Sequence, residues 1–177
     1  DTIYIANGST PSPGGDVLAG ATYVNATAWN GAGGVASYFA ANKRIRLLGT
    51  DSWACTATTF LPTGCQVDSY GGSIATVTSA GATQTPFGMT AGPTDVRVCY
   101  VKHTGPGPGV ADSGMVGVSI ATPTHLLLLG LESDGSTFGF LNTVATEVHE
   151  LGIQDCYFHG YGTAGIATNI AAFINHA

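Results

Sequence analysis

The residues able to do chemistry are few, and most of them fall between Asp95 and Tyr161. The string His149-Glu-Leu-Gly-Ile153, followed by His159, carries the first and last histidines of an extended zinc-protease signature. That signature needs a helix, which sets two imidazoles four residues apart on one face. Here Ile153 stands in for the second histidine and the segment alternates like a strand, so no metal is expected. Cleaving a glycosidic bond takes an acid and a base poised about it. Asp95, Glu132, Asp134, Glu147, Glu150 and Asp155 are available, with Arg97 and Lys102 as cations, but they include no Asp-Asp pair or tight acidic set. Lys102 and Glu132 are the weak acid/base candidates, and a solvated ion pair is their plainer role. Binding a sugar needs other groups: aromatic faces to stack on the ring and polar neighbours to hold its hydroxyls. Tyr100, His103, Tyr157, His159 and Tyr161 cluster around the ends of short apolar runs and are the glycan-contact candidates. No residue is assigned a catalytic role, and no cofactor is expected.

The elements that position these side chains are written as a repeat. Asp95-Val-Arg-Val-Cys-Tyr-Val-Lys-His-Thr-Gly105, His125-Leu-Leu-Leu-Leu-Gly-Leu-Glu-Ser-Asp-Gly135 and Leu151-Gly-Ile-Gln-Asp-Cys-Tyr-Phe-His-Gly160 align on their closing glycines. Val96, Leu126 and Leu151 then share a column, as do Val98, Leu128 and Ile153, and Val101, Leu131 and Cys156. The same alignment puts Lys102 beside Glu132 and Tyr157, brings His103 near His159, and leaves Arg97 between Leu127 and Gly152 with no acidic neighbour. A second echo lies between the copies: Gly117-Val-Ser-Ile, Gly139-Phe-Leu-Asn and Gly165-Ile-Ala-Thr begin 22 and then 26 residues apart. Self-similarity at this period, with two apolar-alternating runs per repeat, signals a solenoid whose coils bury their inner faces by stacking.

Composition narrows the function classes. At 177 residues the chain is one domain by length and can bury a substantial core. Only 9% of residues are charged, against the roughly 25% usual in soluble domains, which points to surface used in contacts with copies or partners. A net charge of −6, with Lys43, Arg44, Arg46, Arg97 and Lys102 as the permanent cations, argues against nucleic acid, because neutralising phosphates takes clustered basic residues. No apolar run approaches the about 20 residues that span a bilayer as a helix, so membrane insertion is not expected. Gly105-Pro-Gly-Pro-Gly109 is no phosphate loop: it lacks the following Lys, and its prolines remove backbone donors. Cys55 and Cys65 are near enough in sequence to close a small loop, which would fit an oxidising compartment. Cys156, in the column of Val101 and Leu131, reads as a small core hydrophobe. Asn7-Gly-Ser9 and Asn25-Ala-Thr27 match glycosylation acceptors, a pattern frequent by chance.

Taken in order, Thr2 to Ala6 alternates as a strand with Ile3 and Ile5 inward, and a Gly- and Pro-rich loop follows. Gly34 to Asn42 is expected to make about two helical turns with Val35, Tyr38 and Phe39 on one face, capping the open end of the stack. Residues 1–43 are thus an N-terminal strand and cap, and 44–177 the coils, within one structural domain. Arg44-Ile-Arg-Leu-Leu48 is the first coil strand, and Phe60 to Val67 and Ser73 to Thr78 supply further runs. A chain opening on Asp1, without Met or a signal-type segment, is expected to be processed or trimmed. The last residues, Ala171-Ala-Phe-Ile-Asn-His-Ala177, hold no amphipathic closing element. Another surface is therefore expected to cover the last coil: a further C-terminal region, a partner chain or the next copy.

These features together resemble the single-stranded right-handed parallel β-helix superfamily of pectate-lyase-like enzymes and bacteriophage tailspikes. The residues that carry the resemblance are Val96 to Val101, Leu126 to Leu131, Leu151 to Phe158 and the opening Thr2 to Ala6 with Arg44 to Leu48. The resemblance implies an all-β right-handed parallel β-helix of roughly six coils, about 30 Å tall at the usual inter-strand spacing, with a short N-terminal capping helix. It implies a structural or glycan-contacting module of an extracellular or virion appendage, such as a phage spike, fibre or surface component. Such a module would assemble with copies or partner chains and contact polysaccharide. The alternative within the same superfamily is a polysaccharide lyase or glycoside hydrolase.

Overall fold

The computed structural model describes residues 1–8, 20–107, 110, 114–119, 123–142, 149–160 and 164–168. These residues are nearly all β, and every strand pairing among them is parallel. The strands are β1 (Thr2–Ala6), β2 (Thr22–Asn25), β3 (Arg44–Leu48), β4 (Ser52–Cys55), β5 (Gln66–Tyr70), β6 (Ala75–Ser79), β7 (Phe87–Met89) and β8 (Thr94–Cys99). There follow β9 (Val101–Thr104), β10 (Gly114–Val118), β11 (Thr124–Leu129), β12 (Glu132–Asp134), β13 (Phe138–Asn142), β14 (His149–Gln154), β15 (Tyr157–His159) and β16 (Ala164–Thr168). They form three sheets: β14-β11-β8-β5-β3-β1-β2, then β15-β12-β9-β6-β4, then β16-β13-β10-β7. From β5 onward the chain visits these sheets in a constant order, first, second and third, before returning to the first.

The register is the one the repeat dictates. Leu126 pairs with Val96 and Leu151, and Leu128 with Val98 and Ile153. Alternation along each strand turns these side chains inward, where Leu126 and Leu128 are 1% and 0% exposed. Inner residues of all three sheets, among them Ile45, Leu47, Val77, Val98, Leu128, Val116 and Phe140, form one continuous apolar cluster. The strands of one copy cannot close such a core alone, so each copy depends on its neighbours for burial. The Gly117 and Gly139 echo is out of register by two. Gly117 pairs with Leu141 and Val116 with Phe140, whereas Gly139 lies level with Gly165. A slip of two keeps every side chain on its face, and for that reason the alternation could not reveal it.

The N-terminal region departs from expectation. Gly34 to Asn42 forms no α-helix but a single 3-10 turn, Val35–Tyr38. Its N-cap is Gly34, without a side-chain acceptor, there is no acidic residue in the first turn, and the backbone is already extended at Phe39. The apolar face is nonetheless used: Val35 is buried, and Tyr38 and Phe39 pack against the core. Trp29 plugs the core here, edge-on to Phe39 and Phe87, with its indole N–H donating to Thr59 Oγ1 at 3.0 Å. Strand β2, unforeseen in the sequence, forms the edge of the first sheet beyond β1. Its neighbour Tyr4 is fully buried, stacked on Tyr23 and edge-on to Tyr70 with the Arg46 guanidinium 5.5 Å away. Arg44 and Arg46 both pair with Asp68, and Lys43 with Asp1, so the short basic cluster is spent on cross-strand pairs.

All four cysteines are free. Cys55 and Cys65 do not close the expected loop: each turns inward from its own segment, and burial pushes their thiols up to about 11 and about 12. Cys156 packs partly buried against the core, as its column predicts. Residues 171–177, which the sequence leaves without a closing element, lie outside the described residues, as do Tyr161, Glu147 and Ser9 of the first glycosylation pattern.

Candidate functional site

The outward face of the second sheet gathers the sequence-predicted polar residues. β9, β12 and β15 are short, parallel and in register, with Lys102 beside Glu132 beside Tyr157 and Thr104 beside Asp134 beside His159. Strand alternation sends these two columns outward while Val101, His103, Leu131 and Ser133 point in. Lys102 Nζ donates to Glu132 Oε1 at 2.6 Å. His159 lies between two carboxylates, Nε2 at 3.7 Å from Glu132 Oε1 and Nδ1 at 3.2 Å from Asp134 Oδ1. The Tyr157 ring stacks on His159 with centroids 4.5 Å apart at 25°, and Tyr157 remains 65% exposed.

The electrostatics define what this patch does. Lys102, with a smaller contribution from His159, holds the Glu132 carboxyl below the usual carboxylate range. Glu132 is therefore ionised at neutral pH and serves as a hydrogen-bond acceptor, not as a proton donor. The patch thus sets a broad exposed aromatic, an imidazole and two carboxylate acceptors within one rung of each other. Among the described residues, no group of three or more His, Cys, Asp or Glu side chains has the spacing to hold a metal ion. The segment with the zinc-like string is strand β14, with His159 on another sheet.

Two of the glycan-contact candidates stand elsewhere. Tyr100 lies at the corner between the first and second sheets, 49% exposed, in a left-handed conformation with φ 51°. His103 is fully buried and is corrected from a surface contact to a core residue. The glycine-anchored alignment brings it near His159, but its true neighbours across the strands are Val77 and Ser133, and one residue of offset in a strand reverses the face. Inside, its imidazole meets Ser79 Oγ at 3.0 Å, Ser133 Oγ at 3.0 Å and Ser136 Oγ at 3.3 Å. Burial pushes its pKa down to about 4.

A second ladder went unread. Asp95, His125 and Glu150 stack on the first sheet, all with φ near +54°. His125 Nδ1 is 2.9 Å from Asp95 Oδ1 and Nε2 is 3.2 Å from Glu150 Oε2. The column was visible in the sequence, one position before Val96, Leu126 and Leu151, but nothing there announced that an imidazole would bridge both acids. Arg97, two residues on, has Leu127 as a cross-strand neighbour, as the alignment predicts, and on its other side Gln66, which the alignment does not include.

No protein-family model matches this chain, and no curated protein or solved structure matches it. Fold and site therefore rest on the residues themselves.

Proposed function

We propose that this chain is a right-handed parallel β-helix serving as a structural, glycan-contacting module of an extracellular or virion appendage, where it assembles with further copies or partner chains. The observation that carries the reading is the constant order in which the chain visits three all-parallel sheets, with outward columns that end in the Lys102, Glu132, Tyr157 and His159 patch. A stack built in this way presents a long, rigid face with side chains at fixed rung spacing, a geometry suited to an extended polymer. The scarcity of charge supports assembly, since a chain with only 9% charged residues has few charges to desolvate when its surface is covered. Glu132, which its lysine neighbour keeps ionised, can accept hydrogen bonds from sugar hydroxyls but cannot protonate a leaving oxygen.

The test is a binding screen on acidic and neutral polysaccharides paired with a depolymerisation assay on the same polymers. Binding that weakens in Tyr157→Ala, with no new chain ends, is the expected result. Chain cleavage that disappears in Glu132→Gln or Lys102→Ala would instead make the protein a β-helix lyase or glycosidase.

A further inference from the structure

We infer that the outer face of the third sheet holds a second carbohydrate site, a slot that takes one uncharged hexopyranose ring. Gly88 and Gly117 are paired on neighbouring strands, and Gly117 pairs in turn with Leu141. Gly117 leaves backbone uncovered by a side chain of its own, and a cavity of about 210 Å³ opens beside it. Phe60, which bridges to Gly88, forms one wall: a Cβ at Gly88 would lie 3.0 Å from Phe60 Cδ1, so the ring occupies the space above that glycine. Leu141 forms the opposite wall, two rungs away, or about 9.6 Å at the usual strand spacing. A ring whose plane lies about 4 Å from each wall needs a width of about 8 Å, which this spacing accommodates with the two ring faces against the apolar walls.

The lining fixes the ligand class. Phe60 is 51% exposed, a costly position for an aromatic with nothing to stack on. The rim carries hydroxyls from Thr58, Thr85 and Ser119, and none of the lining side chains among the described residues is ionisable. Thr58 Oγ1 is engaged with Thr83 O and Thr85 N. Thr85 is only 6% exposed, yet its own hydroxyl has no hydrogen-bond partner among the described residues, and it lies 4.0 Å from the point where a Gly117 Cβ would stand. The Thr85 methyl stands nearest Gly117, and the hydroxyl beside it is open to hydrogen-bond a polar group on an occupant. In a protein of net charge −6, a slot whose described lining carries no charge favours a neutral ligand. An aromatic wall, an aliphatic wall and an unpaired hydroxyl between them match a pyranose, which has apolar faces and a hydroxyl-bearing edge.

This site extends the glycan reading to another face, but its residues are separate from the Tyr157 patch, so either can fail alone. The test is a two-dimensional amide NMR titration of the full chain with the methyl glycosides of glucose, galactose, mannose and N-acetylglucosamine into the millimolar range. The expected result is saturable shifts at Gly88 and Gly117 with one of these, at a Kd of about 1 mM. Gly117→Val is the decisive variant. Gly117 has no positive φ and its Cβ would meet only the Thr85 side chain, at 3.4 Å or beyond, so valine is accommodated in the strand while filling the slot. It should weaken binding at least about tenfold, and Tyr157→Ala should leave it unchanged. Shifts confined to Tyr157 and His159, shifts at Gly117 from 1-hexanol but from no sugar, or full binding by a folded Gly117→Val each overturn the slot. The first of these outcomes leaves the Tyr157 patch standing.

Discussion

His103 makes the stability of the fold depend on pH. Its folded pKa is about 4, against 6.5 for the free side chain, and the cause is burial among serine hydroxyls. Above pH 6.5 both states are neutral and the residue has no effect on the pH dependence. Below that, the unfolded chain takes up a proton that the folded one refuses, so stability falls as pH drops from 6.5 to 4. The full shift corresponds to about 3 kcal/mol. Denaturant titrations across this range should show that slope, and His103→Leu should flatten it; an unchanged slope would place the acid sensitivity elsewhere. His125 has the opposite sign. Asp95, together with Glu150, raises its pKa, so the cross-strand clasp is present below the free value of 6.5 and is lost as pH rises through the raised one. Imidazole NMR should find His125 titrating above 6.5, and Asp95→Asn should bring it down. Lys102→Met should likewise let the Glu132 carboxyl rise toward its ordinary value, with under about 1 kcal/mol lost because the pair is open to solvent. In the sequence these residues were legible by type and column but not by face. His103 and His159 sit one position apart in the aligned repeats, and that single step separates core from surface.

Each strand is stabilised by the copies on either side of it. Leu128 lies between Val98 and Ile153 and is fully buried, so Leu128→Ala leaves a void bounded by three rungs and should cost about 2–5 kcal/mol in chemical denaturation. A loss below about 1 kcal/mol would mean that these side chains do not meet. The corners add a backbone constraint. Tyr100, Gly130 and Asp155 occupy equivalent left-handed turns between the first and second sheets, with φ of 51°, 60° and 52°. At Gly130 a Cβ would stand 2.5 Å from Cδ1 of the Tyr100 ring, so glycine is required there for a reason that does not apply at Asp155. Gly130→Ala should destabilise by about 1–2 kcal/mol from backbone conformation, plus the collision. Adding Tyr100→Ala should recover only the collision. The sequence showed the strands wherever apolar alternation repeated, from Asp95 to Gly160. It did not show β2, whose Thr22–Asn25 pairs only at the sheet edge, nor the 3-10 turn at Val35–Tyr38, whose apolar spacing imitates a longer helix.

At the scale of the molecule, the pairings that hold the sheets together are distant in sequence: Lys102 reaches Glu132 across 30 positions, and Arg44 reaches Asp68 across 24. Folding must close those loops before the core gains anything, so refolding should be slow, on the order of milliseconds to seconds or longer, as for other chains dominated by non-local strands. The parallel pairing was readable because strands that stack in register carry the same inward alternation. The function was less so, since outward positions are free to vary without disturbing the core. The account rests on parallel stacking in the register given by Val98, Leu128 and Ile153. Backbone nuclear Overhauser contacts measured on uniformly labelled protein test it most directly. The account predicts inter-strand amide contacts that link residues flanking Leu128 to those flanking both Val98 and Ile153, in parallel geometry; close α-proton pairs between these strands, the signature of antiparallel pairing, or no contact at all, would contradict it.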